Sequence, residues 1–197
     1  MKTGRKTIFQ MMVIGLLSSV FPTLAYAHTG LGEVDGIVSG FCHPFTGLDH
    51  LCAMIGVGLW AAQRGGRSIW LIPLAFLCVM ALGGLLGMFA VSIPFVEPGI
   101  VASILILGIL IAAAIRMPLM LGILLVGTFA LFHGHAHGAE MPHTVSGVMY
   151  GIGFLAATAL LHACGVGFGL ITRQTGSAWL LRTTGAALIL CGLFLAI

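Results

Sequence analysis

A chain of 197 residues that is 59% hydrophobic and only 7% charged lies outside the range of soluble domains, which are about 45–50% apolar and about 25% charged. The net charge of +3 rests on eight basic and five acidic residues, too few for a nucleic-acid surface. The apolar residues come in long runs, so lipid is the solvent that fits them.

Residues 1–27 have the pattern of a cleavable signal peptide. Lys2, Arg5 and Lys6 precede an apolar stretch from Ile8 to Val20, Pro22 breaks the helix, and Ala25-Tyr26-Ala27 is a small-x-small cleavage motif. The alternative is an uncleaved first span, for which the apolar run is short. Cleavage after Ala27 leaves His28 as the new N-terminus, where a free α-amine beside an imidazole chelates borderline metals.

Residues 28–197 form the second unit, an all-α polytopic membrane domain. Six apolar segments are predicted as transmembrane helices, near 37–62, 69–92, 98–115, 117–137, 144–171 and 178–197. The first contains His43-Pro44-Phe45-Thr46-Gly47-Leu48-Asp49-His50. His43 and His50 share a helical face but stand roughly 10 Å apart along the axis, so they meet at one ion only if the helix bends. Pro44 and Gly47 permit that bend. Asp49 falls inside the apolar segment, where a carboxylate requires a cation, a proton or a histidine partner. The second span and the fifth carry Gly83, Gly84, Gly87, Gly147, Gly151 and Gly153, which let helices approach closely in lipid.

The fourth span ends in Phe132-His133-Gly134-His135-Ala136-His137-Gly138-Ala139-Glu140. His133 and His137 are four apart and Glu140 follows three later, so one stripe carries two imidazoles and a carboxylate. His135 points elsewhere on a continuous helix, and His143, after Pro142, belongs to an outer rim. His162 lies alone in the fifth span, eleven residues before Arg173. It is read either as a packing residue or as a deeper ligand.

After residue 27 the basic residues are Arg64, Arg67, Arg116, Arg173 and Arg182, all in turns on one side of the six spans. The other side carries Glu33, Asp35, Glu97 and Glu140. The positive-inside rule puts the arginines in the cytoplasm and both mature termini outside. A secretory signal independently requires the same N-terminal location. The five cysteines, Cys42, Cys52, Cys78, Cys164 and Cys191, form no CxxC pair and read as small buried hydrophobes. Cys42 and Cys52 adjoin the first polar motif and are weak ligand candidates.

The HPxxGxDHxxxM pattern at His43 to Met54, the Val57-Gly58-Leu59-Trp60-Ala61-Ala62 that follows it, and FHGxAHGxE at Phe132 to Glu140 resemble the HupE/UreJ family of nickel permeases. The resemblance covers essentially the whole mature chain. It implies import of Ni²⁺ or Co²⁺ across a bacterial inner membrane for hydrogenase or urease maturation. By matching position it implies functional roles for His43, Asp49, His50, His133, His137 and Glu140. Adding His28 and His162 from the residue reading, the expected ligands descend from an outer rim towards the middle of the bundle. No permanently bound cofactor is expected, the ion being cargo, and no enzymatic activity, since neither HExxH nor GxSxG occurs. The expected partners are the bilayer and the divalent ion, with a homo-oligomer left open. Thiols at Cys42 and Cys52 tilt preference towards copper. The competing class is a haem-binding electron carrier using paired histidines, although no CxxCH motif is present.

Overall fold

The computed structural model describes residues 32–142 and 145–197, so the signal-peptide segment, His28 and His143 lie outside the described residues. Every described element is helical. In chain order they are α1 (Gly32–Cys42), a 3₁₀ turn (His43–Phe45), α2 (Leu48–Arg64), α3 (Ser68–Met88), α4 (Val96–Ala112), α5 (Leu119–Ala139), α6 (Gly147–Gln174) and α7 (Ala178–Leu195).

Four of these, α3, α5, α6 and α7, are long and apolar enough to cross a membrane. The bent pair Asp35–Phe45 and Leu48–Arg64 makes a fifth when taken as one span. Helix α4 is apolar but only 17 residues long, and it starts and stops earlier than the 98–115 expected from the sequence. Its ends are set by backbone turns with positive φ at Phe95 (60°) and Ala114 (53°). Outward-facing residues such as Trp70, Leu124, Leu190 and Phe194 are largely exposed, as an apolar solvent requires.

The first predicted span is broken, as Pro44 and Gly47 permit. Its two halves meet at 80°. Pro44 occupies the second position of the 3₁₀ turn, where its missing N–H costs no hydrogen bond, and Gly47 adopts an extended conformation (φ −100°, ψ 122°) that cannot continue a helix. The break is closed by Thr46, whose N–H and Oγ1 both donate to the His43 carbonyl, at 3.0 and 2.7 Å. Beyond it α2 runs through the centre of the bundle and buries ten of its 17 residues, with Met54, Leu59 and Trp60 fully enclosed.

Glycine decides which helices touch backbone to backbone. A Cβ at Gly134 would strike the Met80 carbonyl, one at Gly138 the Gly84 carbonyl, and one at Gly83 the Leu131 carbonyl. Helices α3 and α5 therefore lie in direct main-chain contact, gained through dispersion rather than through hydrophobic burial. Gly58 of α2 and Gly165 of α6 interlock in the same way. Of the fifth-span glycines, Gly153 packs on the Ile37 carbonyl of α1, whereas nothing lies within 4 Å of the Cβ position at Gly151.

The arginines gather at one end of the bundle. Arg116, Arg173 and Arg182 line a polar cavity of about 300 Å³, and Arg173 also donates to the Ala62 carbonyl near the end of α2 (2.8 Å). Glu140 closes α5 at the other end.

Candidate metal centre

The 80° break and the close α3–α5 seam bring the two histidine motifs together. His43, just before the break, and His50, just after it, converge on His137 of α5, with ring centroids 4.9 and 4.6 Å away. On a straight helix the same pair would stand about 10 Å apart along the axis.

Two groups of potential ligands result. The inner one is His50, His133 and His137, whose candidate nitrogens lie within 4.8 Å of one another; all three residues are buried. The outer one is His43, His137 and Glu140, held to the same spacing and progressively more exposed. In the outer group His43 Nε2 lies 2.9 Å from His137 Nδ1 and 3.3 Å from Glu140 Oε2, and His137 Nδ1 is 3.2 Å from the same carboxylate oxygen. His137 belongs to both groups; its Nδ1 lies against His43 and Glu140, and its Nε2 is buried without a partner.

The tautomers follow from the hydrogen bonds. The Thr158 hydroxyl donates to the Phe154 carbonyl (3.0 Å), so it can only accept from His50 Nε2 (3.3 Å). The Ser103 hydroxyl donates to the Ile100 carbonyl (2.6 Å), so it accepts from His133 Nε2 (2.9 Å). Both histidines therefore carry their proton on Nε2 and keep a lone pair on Nδ1. His137 donates from Nδ1 to the Glu140 carboxylate and keeps its lone pair on Nε2. His50 Nδ1, His133 Nδ1 and His137 Nε2, one from each member of the inner group, are among the atoms left buried without a hydrogen-bond partner. Three neighbouring imidazoles whose N–H groups are anchored by hydroxyl, hydroxyl and carboxylate are a donor set of the kind that can hold a divalent ion. Metal–nitrogen bonds of about 2.1 Å set tetrahedral donors roughly 3.4 Å apart, so closure on an ion needs shifts on the order of 1 Å.

Glu140 is the solvent-facing member, and the hydrogen bond from His137 holds its carboxyl below the usual range. It is ionised at neutral pH and adds the negative charge that an all-imidazole site lacks.

Asp49 takes a different place. The break puts it in the first turn of α2, partly exposed, where its Oδ1 accepts the His50 N–H at 2.8 Å. It joins neither ligand group among the described residues. His162 is buried on α6 and also outside both groups. Its Nδ1–H donates to the Met54 carbonyl (2.8 Å), leaving Nε2 buried and unpartnered. Phe76 stands between the inner group and His162, its ring centroid 6.1 Å from that of His133 and 5.1 Å from that of His162. His135 points away, as its position on the stripe predicts, and donates from Nε2 to the Val91 carbonyl (2.7 Å). Neither Cys42 nor Cys52 reaches a ligand group among the described residues.

The residues that the sequence reading missed are Ser103, Thr158, Phe76, Tyr150 and Phe154. The ring centroid of Phe154 lies 5.0 Å from those of His50 and His137 and 6.2 Å from that of His43, forming an apolar wall with Tyr150. Isolated hydroxyls inside apolar runs were the available signal for Ser103 and Thr158. An apolar cavity of about 270 Å³ between α3, α5 and α6, lined by Met80, Met88, Gly138, Gly151 and Phe154 among others, reaches His137 from the side.

The family model described as HupE / UreJ protein matches residues 15–195. Protein HupE of Rhizobium leguminosarum bv. viciae is 41% identical over 177 residues, spanning 90% of this chain and 92% of that protein. No solved structure matches the chain. A family match over nearly the full length, together with a relative of this identity, means that the chain belongs to the HupE/UreJ family.

Proposed function

We propose that the protein is a permease that carries a divalent transition metal, nickel foremost and cobalt next, across the bacterial inner membrane for hydrogenase or urease maturation. The observation that carries this reading is the convergence of three buried, unpartnered imidazole lone pairs at His50, His133 and His137. Burying such groups without partners is costly, and a cation repays that cost. Imidazole is a borderline ligand that suits nickel, cobalt, copper and zinc. The two ligand groups contain no thiolate, which favours a borderline divalent ion over copper(I).

The path begins at Glu140 and His43, which capture the ion at the outer rim. His137 passes it inward by exchanging its ring proton: it holds the ion through Nδ1 at the rim while Nε2 is protonated, then through Nε2 once the proton sits on Nδ1 and is donated to Glu140. The ion rests among His50, His133 and His137, then moves past Phe76 to the free Nε2 of His162. Successive sites of moderate affinity allow conduction where a single tight one would trap the ion. Asp49 supplies negative charge beside the break and holds the first turn of α2. In this reading six spans cross the membrane, α1 and α2 together forming one and the short α4 another. The signal peptide is removed, both termini are periplasmic, and His28 adds an amine–imidazole chelate at the entrance.

A haem site fits the geometry poorly. With three nitrogens clustered within 4.8 Å, two acting as axial ligands would leave the third in the plane of the macrocycle.

The test is radiometal uptake in cells expressing the full chain, with Ni²⁺, Co²⁺, Cu²⁺ and Zn²⁺ compared side by side. Nickel accumulation that is lost in His50→Ala and His133→Ala variants present at wild-type levels in the membrane supports the reading. Equal accumulation with and without the protein for all four ions overturns it.

A further inference from the structure

The packing of α2 against α7 brings together a pair of cysteines outside the metal path. Cys52 Sγ lies 3.4 Å from Cys191 Sγ, across 139 residues of sequence. Both side chains are partly exposed. Cys52 is four residues into α2 from Leu48, and Cys191 is four residues before the end of α7 at Leu195. At 1.5 Å per residue each sulfur is about 6 Å from its helix end. Both ends lie away from the arginine-lined cavity, because α2 finishes at Arg64 and α7 begins near Arg182. The other cysteines, Cys42, Cys78 and Cys164, are exposed and have no sulfur neighbour among the described residues.

We propose that Cys52 and Cys191 are a redox-modifiable pair that closes to a disulfide and staples the outer end of α7 to α2, two residues from His50. The sulfurs need to approach by little more than 1 Å to reach the bond length of about 2.05 Å. The oxidant is a protein or small-molecule disulfide. One cysteine, as thiolate, attacks a sulfur of that disulfide, forming a mixed disulfide and releasing one thiol. The second cysteine then attacks the mixed disulfide and releases the other thiol. Both cysteines give up their protons, and the two electrons end on the carrier, which leaves as two thiols. The oxidising compartment on the outer side rests on the orientation given under Proposed function. The chemistry of the pair does not.

The test uses the full chain in membrane vesicles, in a Cys42→Ser/Cys78→Ser/Cys164→Ser background that retains only this pair. Vesicles are treated with oxidised glutathione, denatured in N-ethylmaleimide and weighed by intact mass spectrometry. Both maleimide labels should be lost after oxidation and restored by dithiothreitol, with a Cys52–Cys191 linked peptide in the digest. Retention of both labels, or capture of glutathione on either cysteine in place of the internal bond, overturns the proposal. Adding a Cys191→Ser change to the same background should leave Cys52 labelled or glutathionylated. Metal binding is not read in this assay, so failure of the permease reading leaves its result interpretable.

Discussion

Replacing Ser103 by alanine tests the tautomer argument on which the inner cage depends. Ser103 Oγ accepts from His133 Nε2 at 2.9 Å and is itself pinned by donating to the Ile100 carbonyl. Without it the buried Nε2–H has no partner, a penalty of about 1–3 kcal/mol. The ring escapes by shifting its proton to Nδ1 or by rotating, and either removes the lone pair from the cage. A bias of about 1.4 kcal/mol is tenfold in the population of the competent tautomer, and loss of such an outer anchor typically costs 10–100-fold in metal affinity. Ser103→Ala should therefore raise the Ni²⁺ dissociation constant of the purified protein about tenfold or more. Thr158→Val should act likewise through His50, and the double variant should lose at least as much as either single one, the two losses being coupled because both rings belong to one ligand group. Titration against a competing chelator in detergent reads these values, and thermal unfolding of the apo protein checks that the fold survives. Wild-type affinity in a folded Ser103→Ala/Thr158→Val protein would falsify the tautomer lock.

Asp49→Ala should abolish uptake while the protein remains in the membrane. Asp49→Asn keeps an oxygen for the His50 N–H, so comparison of the two separates charge from helix capping, and wild-type uptake by the alanine variant refutes any role for Asp49. Glu140→Gln should raise the half-saturating metal concentration several-fold with little change in maximal uptake; an unchanged concentration dependence argues against outer capture. The carboxyl of Glu140 is depressed by its hydrogen bond from His137. Its contribution to the folded state is thus complete above the ordinary carboxylate range and is lost as pH falls through the lower folded-state value. Gly134→Val drives a side chain into the Met80 carbonyl, so it should destabilise by about 1–3 kcal/mol or more and reduce the amount of protein in the membrane. Wild-type levels and melting would show that the α3–α5 seam can open.

The membrane class and the all-helical architecture of the described residues were legible because each rests on local pattern. Apolar runs report their solvent, and Pro44 with Gly47 reports a place where a helix can break. Spacing along one helix likewise assigned His133, His137 and Glu140 to one stripe and sent His135 elsewhere. What local pattern lacks is the angle of a break and the identity of a neighbour. The 80° turn moved Asp49 from mid-segment to the start of α2 and swung His50 towards His137. The glycine seams set which helices meet, and so brought Ser103 of α4 and Thr158 of α6 to histidines 30 and 108 residues away in sequence. The same packing paired Cys52 with Cys191. Ligand type is a property of a residue and can be read in one dimension. The direction of a lone pair depends on partners that only the assembled bundle supplies.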